Sequence, residues 1–345
     1  MFGRLSDLRS GQGIAHYFNG DKYDGHWSAG MRSGQGDIRF VNGDEYCGLW
    51  QQDMRDGGFA AGCVQGTQNY ANGDSYSGQW RAGYRSGNEP QQTMKYANGD
   101  VYTGTFDVDM ASGHGTMKYA NGDCYEGAWD QNVRTGQGEL KYANGGCYVG
   151  QFFFDQRSGK GSMTSGAGDV CVGDFALDEA HGEAKMTFAN GDVYTGGFAQ
   201  GQRSGAGSCA YNNGDKFVGQ WLLDVRCGKG VLTTAAGEKY DGAWFGDKPD
   251  GAGSMTYANG DNYNGKFTAG CEDNKEMAYT RADGSLFTPR YEGSPGGWKP
   301  ADLNPTARTN SDSSCSNGAA PSQTGTAKAV YVGELNAADG TRDGA

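Results

Sequence analysis

The sequence predicts an all-β fold: an elongated, open, single-layer antiparallel sheet of stacked β-hairpins with a 23-residue period. Three observations predict it. The first is a recurrence at Tyr23, Tyr46, Tyr76, Tyr102, Tyr125, Tyr148, Cys171, Tyr194, Phe217, Tyr240 and Tyr263, in which eight of ten intervals are 23 residues. The second is a glycine two positions after each of these, Gly25 through Gly265, and an aromatic two positions further, Trp27 through Phe267, in all eleven units. The third is an Asn-Gly pair between two alternating runs in most units, among the strongest hairpin signals a sequence offers.

The unit Thr116 to Gly138, TMKYANGDCYEGAWDQNVRTGQG, shows how each element arises. Two turns compete. A two-residue Asn-Gly turn pairs Tyr119 with Cys124 and puts Tyr119 and Tyr125 on opposite faces. A three-residue Ala-Asn-Gly loop with Gly122 left-handed pairs Tyr119 with Asp123. The second is preferred: it sets Met117, Tyr119, Tyr125, Gly127 and Trp129 on one face and Lys118, Cys124, Glu126 and Ala128 on the other, the split a half-buried strand needs. The G-x-G that recurs after the R-[ST] pair reads as the turn between repeats.

A single hairpin is marginal in water, so each must bury its aromatic side against its neighbours, and the recurrent glycine leaves room for rings to lie across its backbone. Eleven hairpins at about 10 Å each make an object on the order of 100 Å long. The long intervals, Tyr46 to Tyr76 and Tyr76 to Tyr102, mark surface insertions around Gly57 to Gln68 and Asn88 to Gln92. Residues 1–275 form the array, with Leu8 to Gly13 as a partial N-terminal unit. Residues 276–295 are a degenerate repeat, 296–330 a disordered linker rich in Ser, Gly, Ala and Pro, and 331–345 an isolated half-motif.

Composition narrows the function. The chain has 345 residues with 62 Gly and 7 Pro, and its hydrophobic fraction of 36% leans on the 12% that is aromatic, so rings supply the burial. A net charge of −12 disfavours nucleic acid and weakens attraction to anionic lipid. No stretch reads as a signal peptide or a membrane helix, so a cytoplasmic protein is expected. Nine cysteines without a C-x-x-C pair read as reduced thiols, structural or incidental.

The recurring Y-A-N-G-D-x-Y-x-G-x-[WF] followed by R-[ST]-G-x-G resembles the MORN repeat (membrane occupation and recognition nexus) family. The resemblance implies an elongated, twisted sheet of hairpins used for scaffolding, often near membranes or in cytoskeletal and ciliary structures.

No Ser/His/Asp set, HExxH or phosphate loop emerges, so no catalytic residue, metal site or cofactor is expected and an enzyme is not. Three rows carry candidate function. A single-layer sheet has no second layer, so the rings of Tyr102, Tyr125, Trp129, Tyr148, Tyr194, Trp221, Tyr240, Trp244 and Tyr263 are expected to stay partly open as a partner-binding face. An arginine five residues after the aromatic, at Arg32, Arg55, Arg85, Arg134, Arg157, Arg203 and Arg226, offers a strip for phosphoinositide or an acidic partner, with solvated loop residues as the competing reading. The acidic residue after the turn, Asp21 through Asp261 in ten of eleven units, reads as an acceptor of turn amides, with weak cation binding as the alternative. The expected function is a non-enzymatic scaffold that binds a protein partner or its own copy. The alternatives are a peripheral phospholipid-binding module with weak membrane contact and an accessory subunit of an axonemal complex.

Overall fold

The computed structural model describes residues 9–57, 66–87, 92–272 and 278–287. Among them 26 strands form one open antiparallel sheet, with two short strands paired beside it. Strand order follows chain order: Gly11–His16 pairs with Lys22–Ser28, that with Met31–Arg39, that with Glu45–Gln51, and the pattern runs on to Asn262–Thr268, Ala278–Thr280 and Leu286–Phe287.

The three-residue loop is the one that forms. The Tyr119 amide donates to the Asp123 carbonyl at 2.9 Å, and the Gly122 amide to the Tyr119 carbonyl at 3.0 Å. Gly122 has φ +93° and Met117 faces Tyr125. Tyr125, Gly127 and Trp129 are buried, Met117 and Tyr119 pack against them, and Lys118 and Glu126 are exposed on the other face.

The other end of the hairpin differs from expectation. Cys124–Asp130 is followed by a two-residue turn, Gln131-Asn132, with φ 49° and 68°, and then by the nine-residue strand Val133–Lys141. Positive φ at both central positions suits the right-handed twist of the flanking strands. The G-x-G therefore lies inside a strand and is not the turn between repeats. Gly127 pairs with Gly138 while the next residue, Ala128, pairs with Thr135, so Gly136 (φ 58°) and Gln137 form a bulge. Both insertions enter at this bulge: residues 58–65 stand between Gly57 and Gly66, and 88–91 between Gly87 and Gln92, while Trp50 still faces Arg55 and Tyr76 still faces Met94.

The core is one row of rings laid on a row of glycines. A Cβ on Gly138 would lie 2.5 Å from Tyr125 Cε2, and one on Gly127 2.5 Å from the Tyr125 hydroxyl, so only glycine admits the ring there. Each Tyr meets the aromatic of its own repeat and that of the next edge-to-face: Tyr125 is 5.2 Å from Trp129 and 5.0 Å from Phe152 between centroids. Such contacts contribute about 0.5–1.5 kcal/mol each beyond the area buried. The chain of rings runs from Trp27 to Phe175 and resumes at Phe198. Between them Cys171 replaces the ring, and Ala184 replaces the glycine beneath it.

The partial N-terminal unit is present as Gly11–His16, with the Arg9 guanidinium 5.0 Å over Trp27. Residues 278–287 form one more hairpin, closed by the same loop at Arg281 to Ser285. Leu8 of the partial N-terminal unit, residues 276–277 and 288–295 of the degenerate unit, the linker at 296–330 and the half-motif at 331–345 lie outside the described residues.

Candidate interaction surface

The nine rings expected to face a partner are not open. Tyr102, Tyr125, Tyr148, Tyr194 and Tyr263 are fully buried, Tyr240, Trp221 and Trp244 nearly so, and Trp129 is only 6% exposed. Their polar atoms turn inward as well. Tyr125 Oη donates to the Ala128 carbonyl at 3.0 Å, Tyr240 Oη to Ala243 at 2.7 Å, and Trp129 Nε1 to the Gly115 carbonyl at 3.1 Å. Burial pushes the Tyr148 and Tyr194 hydroxyls up to about 12. The expectation failed because it counted only sheet layers: side chains reaching in from both long edges cover the rings.

From the tight-turn edge the cover is arginine. All seven predicted arginines stack on rings of the buried row, closest at Arg32 over Trp50 (4.0 Å) and at Arg55 over Trp80 and Arg203 over Trp221 (4.2 Å each). They are strand residues, not solvated loop residues, and Arg157 and Arg226 are buried. Six of them bind an aspartate in the next turn: Arg32 with Asp53, Arg85 with Asp109, Arg134 with Asp155, Arg157 with Asp178, Arg203 with Asp224 and Arg226 with Asp247, at 2.9–3.2 Å. In the Arg134 pair the Arg134 amide and Nε both donate to Asp155 Oδ1, and an Nη donates to the Asp155 carbonyl. The arrangement bridges turn to turn with its charge already matched.

Arg55 is the exception. Gly83 stands where the aspartate would be, and Arg55 donates instead to Gln68 Oε1 at 2.8 Å. It lines a shallow cavity of about 530 Å³ with Phe40, Tyr70, Trp80 and Arg85, and burial lowers its pKa.

From the opposite edge the cover is the aromatic that precedes the Asn-Gly loops, with Ser165 and Thr234 in its place in two repeats. Phe40, Tyr70, Tyr96, Tyr119, Tyr142, Phe188, Tyr211 and Tyr257 are half-buried against the core. These rings, not the ones named from the pattern, form the solvent-facing margin of the aromatic side. The acidic row below them accepts turn amides: Asp123 Oδ1 takes the Ala143 amide of the next loop at 2.8 Å, and Oδ2 takes the Asn121 side chain at 2.9 Å. In the same way the Ala120 amide donates to Asp100 and the Ala235 amide to Asp215. Among the described residues no group of three or more His, Cys, Asp or Glu converges on a metal site, and no helix is long and apolar enough to cross a membrane. The seven described cysteines form no disulfide.

No curated protein matches the chain. Similar solved structures include the TCP10 domain of Danio rerio CPAP in complex with a STIL peptide (9% identity, 80% of this chain and 97% of that one, TM-score 0.22). Others are the TCP10c domain of Drosophila melanogaster Sas-4 (13%, 54% and 99%, TM-score 0.28) and virginiamycin B lyase from Staphylococcus aureus (9%, 82% and 95%, TM-score 0.13). At these TM-scores none carries an argument about this chain. The MORN repeat model matches residues 23–45, 76–88 and, without a gap, 102–262, which is more than half of the sequence. Hairpins of the same kind, with Tyr46 and Tyr263 laid on glycines, fill the positions between and beside those matches, and the chain belongs to the MORN repeat family.

Proposed function

We propose that the chain is a non-enzymatic interaction scaffold that holds a protein partner, or a second copy, along its aromatic side. The observation that carries this reading is the row of half-buried rings from Phe40 to Tyr257, presented at repeat spacing on a sheet whose long edges are cross-bridged. Aromatic side chains already held in place lose little freedom on binding and dominate binding hot spots. The phospholipid reading loses its main support, since six of the seven arginines in the row are paired with aspartates of the protein. Under this reading the protein works in the cytoplasm, at cytoskeletal, ciliary or membrane-adjacent structures, which imaging a tagged chain tests.

The deciding experiment is proximity labelling with the full chain and with Tyr119→Ser, Tyr142→Ser and Tyr211→Ser combined. A specific set of labelled neighbours that disappears with the variant, while the variant keeps its β-sheet spectrum, supports the reading. An unchanged set removes it.

A further inference from the structure

Each two-residue turn holds its first central residue at positive φ, a conformation least favourable for bulky and β-branched side chains. Yet that position carries Val108 (φ 44°), Phe154 (47°), Leu177 (51°) and Leu223 (50°). The fold does not require them, because Gln131, Gln200 and Gly246 occupy the same position in other repeats. Nor are they buried in return: Val108 is 50% exposed, Phe154 69%, Leu177 74% and Leu223 62%. Phe153, Leu222 and Phe245 stand exposed beside these turns.

Successive turns are bonded to one another, so these side chains share one edge. The Asp155 amide donates to the Arg134 carbonyl at 3.1 Å, Asp178 to Arg157 at 3.2 Å, Asp224 to Arg203 at 3.1 Å and Asp247 to Arg226 at 3.2 Å. The result is an apolar ridge from Val108 to Phe245, on the order of 60 Å long at two strand spacings per repeat and broken by the polar turns at Gln131 and Gln200. Backbone strain and solvent-exposed apolar area both oppose keeping such residues for folding alone.

Charge selects the occupant. The ridge reads Asp-Val-Asp at 107–109, Phe-Phe-Asp at 153–155, Leu-Asp-Glu at 177–179, Leu-Leu-Asp at 222–224 and Phe-Gly-Asp at 245–247. Asp109, Asp155, Asp178, Asp224 and Asp247 are paired with arginines that lie inward over the rings. The unmatched charge on this edge is therefore that of exposed Asp107 and of Glu179, which enter no ion pair among the described residues, while Asp155, Asp178 and Asp247 keep about two-fifths to one-half of their side chains open to a further cation. We propose that this edge docks a basic amphipathic helix of a protein partner, its apolar side on the ridge and its Lys or Arg side chains beside the carboxylates. A second copy would set carboxylates against carboxylates at a net charge of −12 each, and an anionic bilayer would be repelled. The inference shares with the proposed function only that the chain binds protein, and it uses a different surface.

The test uses the full chain, a fluorescein-labelled amphipathic Leu/Lys helical peptide and its Leu/Glu counterpart. The variant combines Phe154→Asn, Leu177→Asn and Leu223→Asn, because asparagine accepts left-handed backbone and leaves each turn and its aspartate in place. The expected result is a Tm raised by roughly 2–6 °C together with Leu/Lys affinity reduced about tenfold or more, and no Leu/Glu binding to either protein. A lowered Tm, unchanged Leu/Lys affinity, or self-association or vesicle flotation lost in the variant overturns the proposal. If the combined Tyr119, Tyr142 and Tyr211 variant loses the peptide while the ridge variant keeps it, the ridge is overturned and the scaffold reading stands. Labelled neighbours unaffected by the tyrosine variant remove that reading without touching the ridge result.

Discussion

Cys171 and Ala184 should be energetically locked together. On either side of them, a Cβ at Gly161 would lie 2.6 Å from Tyr148 Cε2, and one at Gly207 2.6 Å from Tyr194 Cε2. In the intervening repeat the ring is missing and the glycine has become Ala184, whose methyl is 6% exposed. Cys171→Tyr alone drives a ring onto that methyl, and overpacking of about 1–3 kcal/mol cancels most of what the ring gains. Ala184→Gly alone loses a buried methyl and stiffens nothing, costing about 1–2 kcal/mol. Together they rebuild the row. About 100 Å² of added apolar burial is worth about 2.5 kcal/mol, and two edge-to-face contacts, to Phe175 and Phe198, add about 0.5–1.5 kcal/mol each. After the glycine penalty the double variant should be more stable by about 2–4 kcal/mol, with a coupling energy above about 2 kcal/mol. Urea unfolding followed by tryptophan fluorescence reports it, since Trp221 packs on Tyr194 nearby. A Cys171→Tyr protein as stable as the double variant, or coupling below about 0.5 kcal/mol, would show that rings do not lie on the glycine row.

Three further outcomes follow from the same packing. Asp178→Asn leaves the buried Arg157 guanidinium without its carboxylate and should destabilise the array by about 1–3 kcal/mol in urea, more than Asp53→Asn does at the less buried Arg32. Tyr23, Tyr148 and Tyr194 titrate near 12 when folded against 10.0 when not, so folding holds their protons: stability should be level below about pH 9 and fall as pH rises from 10 to 12, and Tyr→Phe at these sites should flatten that fall in alkaline melts. Small-angle scattering should give a radius of gyration well above the roughly 20 Å of a compact chain of this length, and a globular profile would contradict the open sheet.

Much of this architecture was legible because the period is explicit. The period located the strands, and the polar and apolar alternation around Ala-Asn-Gly chose the three-residue loop, because only that register keeps Tyr119 and Tyr125 on one face. The burial of the rings was not legible. It depends on Arg134 and Tyr142 reaching in from opposite edges, and a strand pattern carries no information about what crosses it. The arginine partners did leave a trace. Arg32, Arg134, Arg157, Arg203 and Arg226 are each followed 21 residues later by an Asp, and Arg85 by one 24 residues later across its insertion, whereas Arg9 and Arg55 meet Gly30 and Gly83. Where Ala111, Ala180 or Pro249 replaces Arg, the next turn has Asn132, Gly201 or Gly270. The G-x-G was misread because glycine pairs usually mark turns, whereas here one glycine makes room for a bulge and the other for a ring.

That bulge also sets how such a chain can change. Its middle residue, Gln137 or Lys160 or Lys229, is exposed and spans two glycines whose neighbours on both sides are already paired. Extra length admitted at that point leaves the step from one repeat to the next untouched, as the segments after Gly57 and Gly87 do. The array thus contains, in each unit whose bulge is described, a splice point at which new surface can be added while the scaffold on either side keeps its measure.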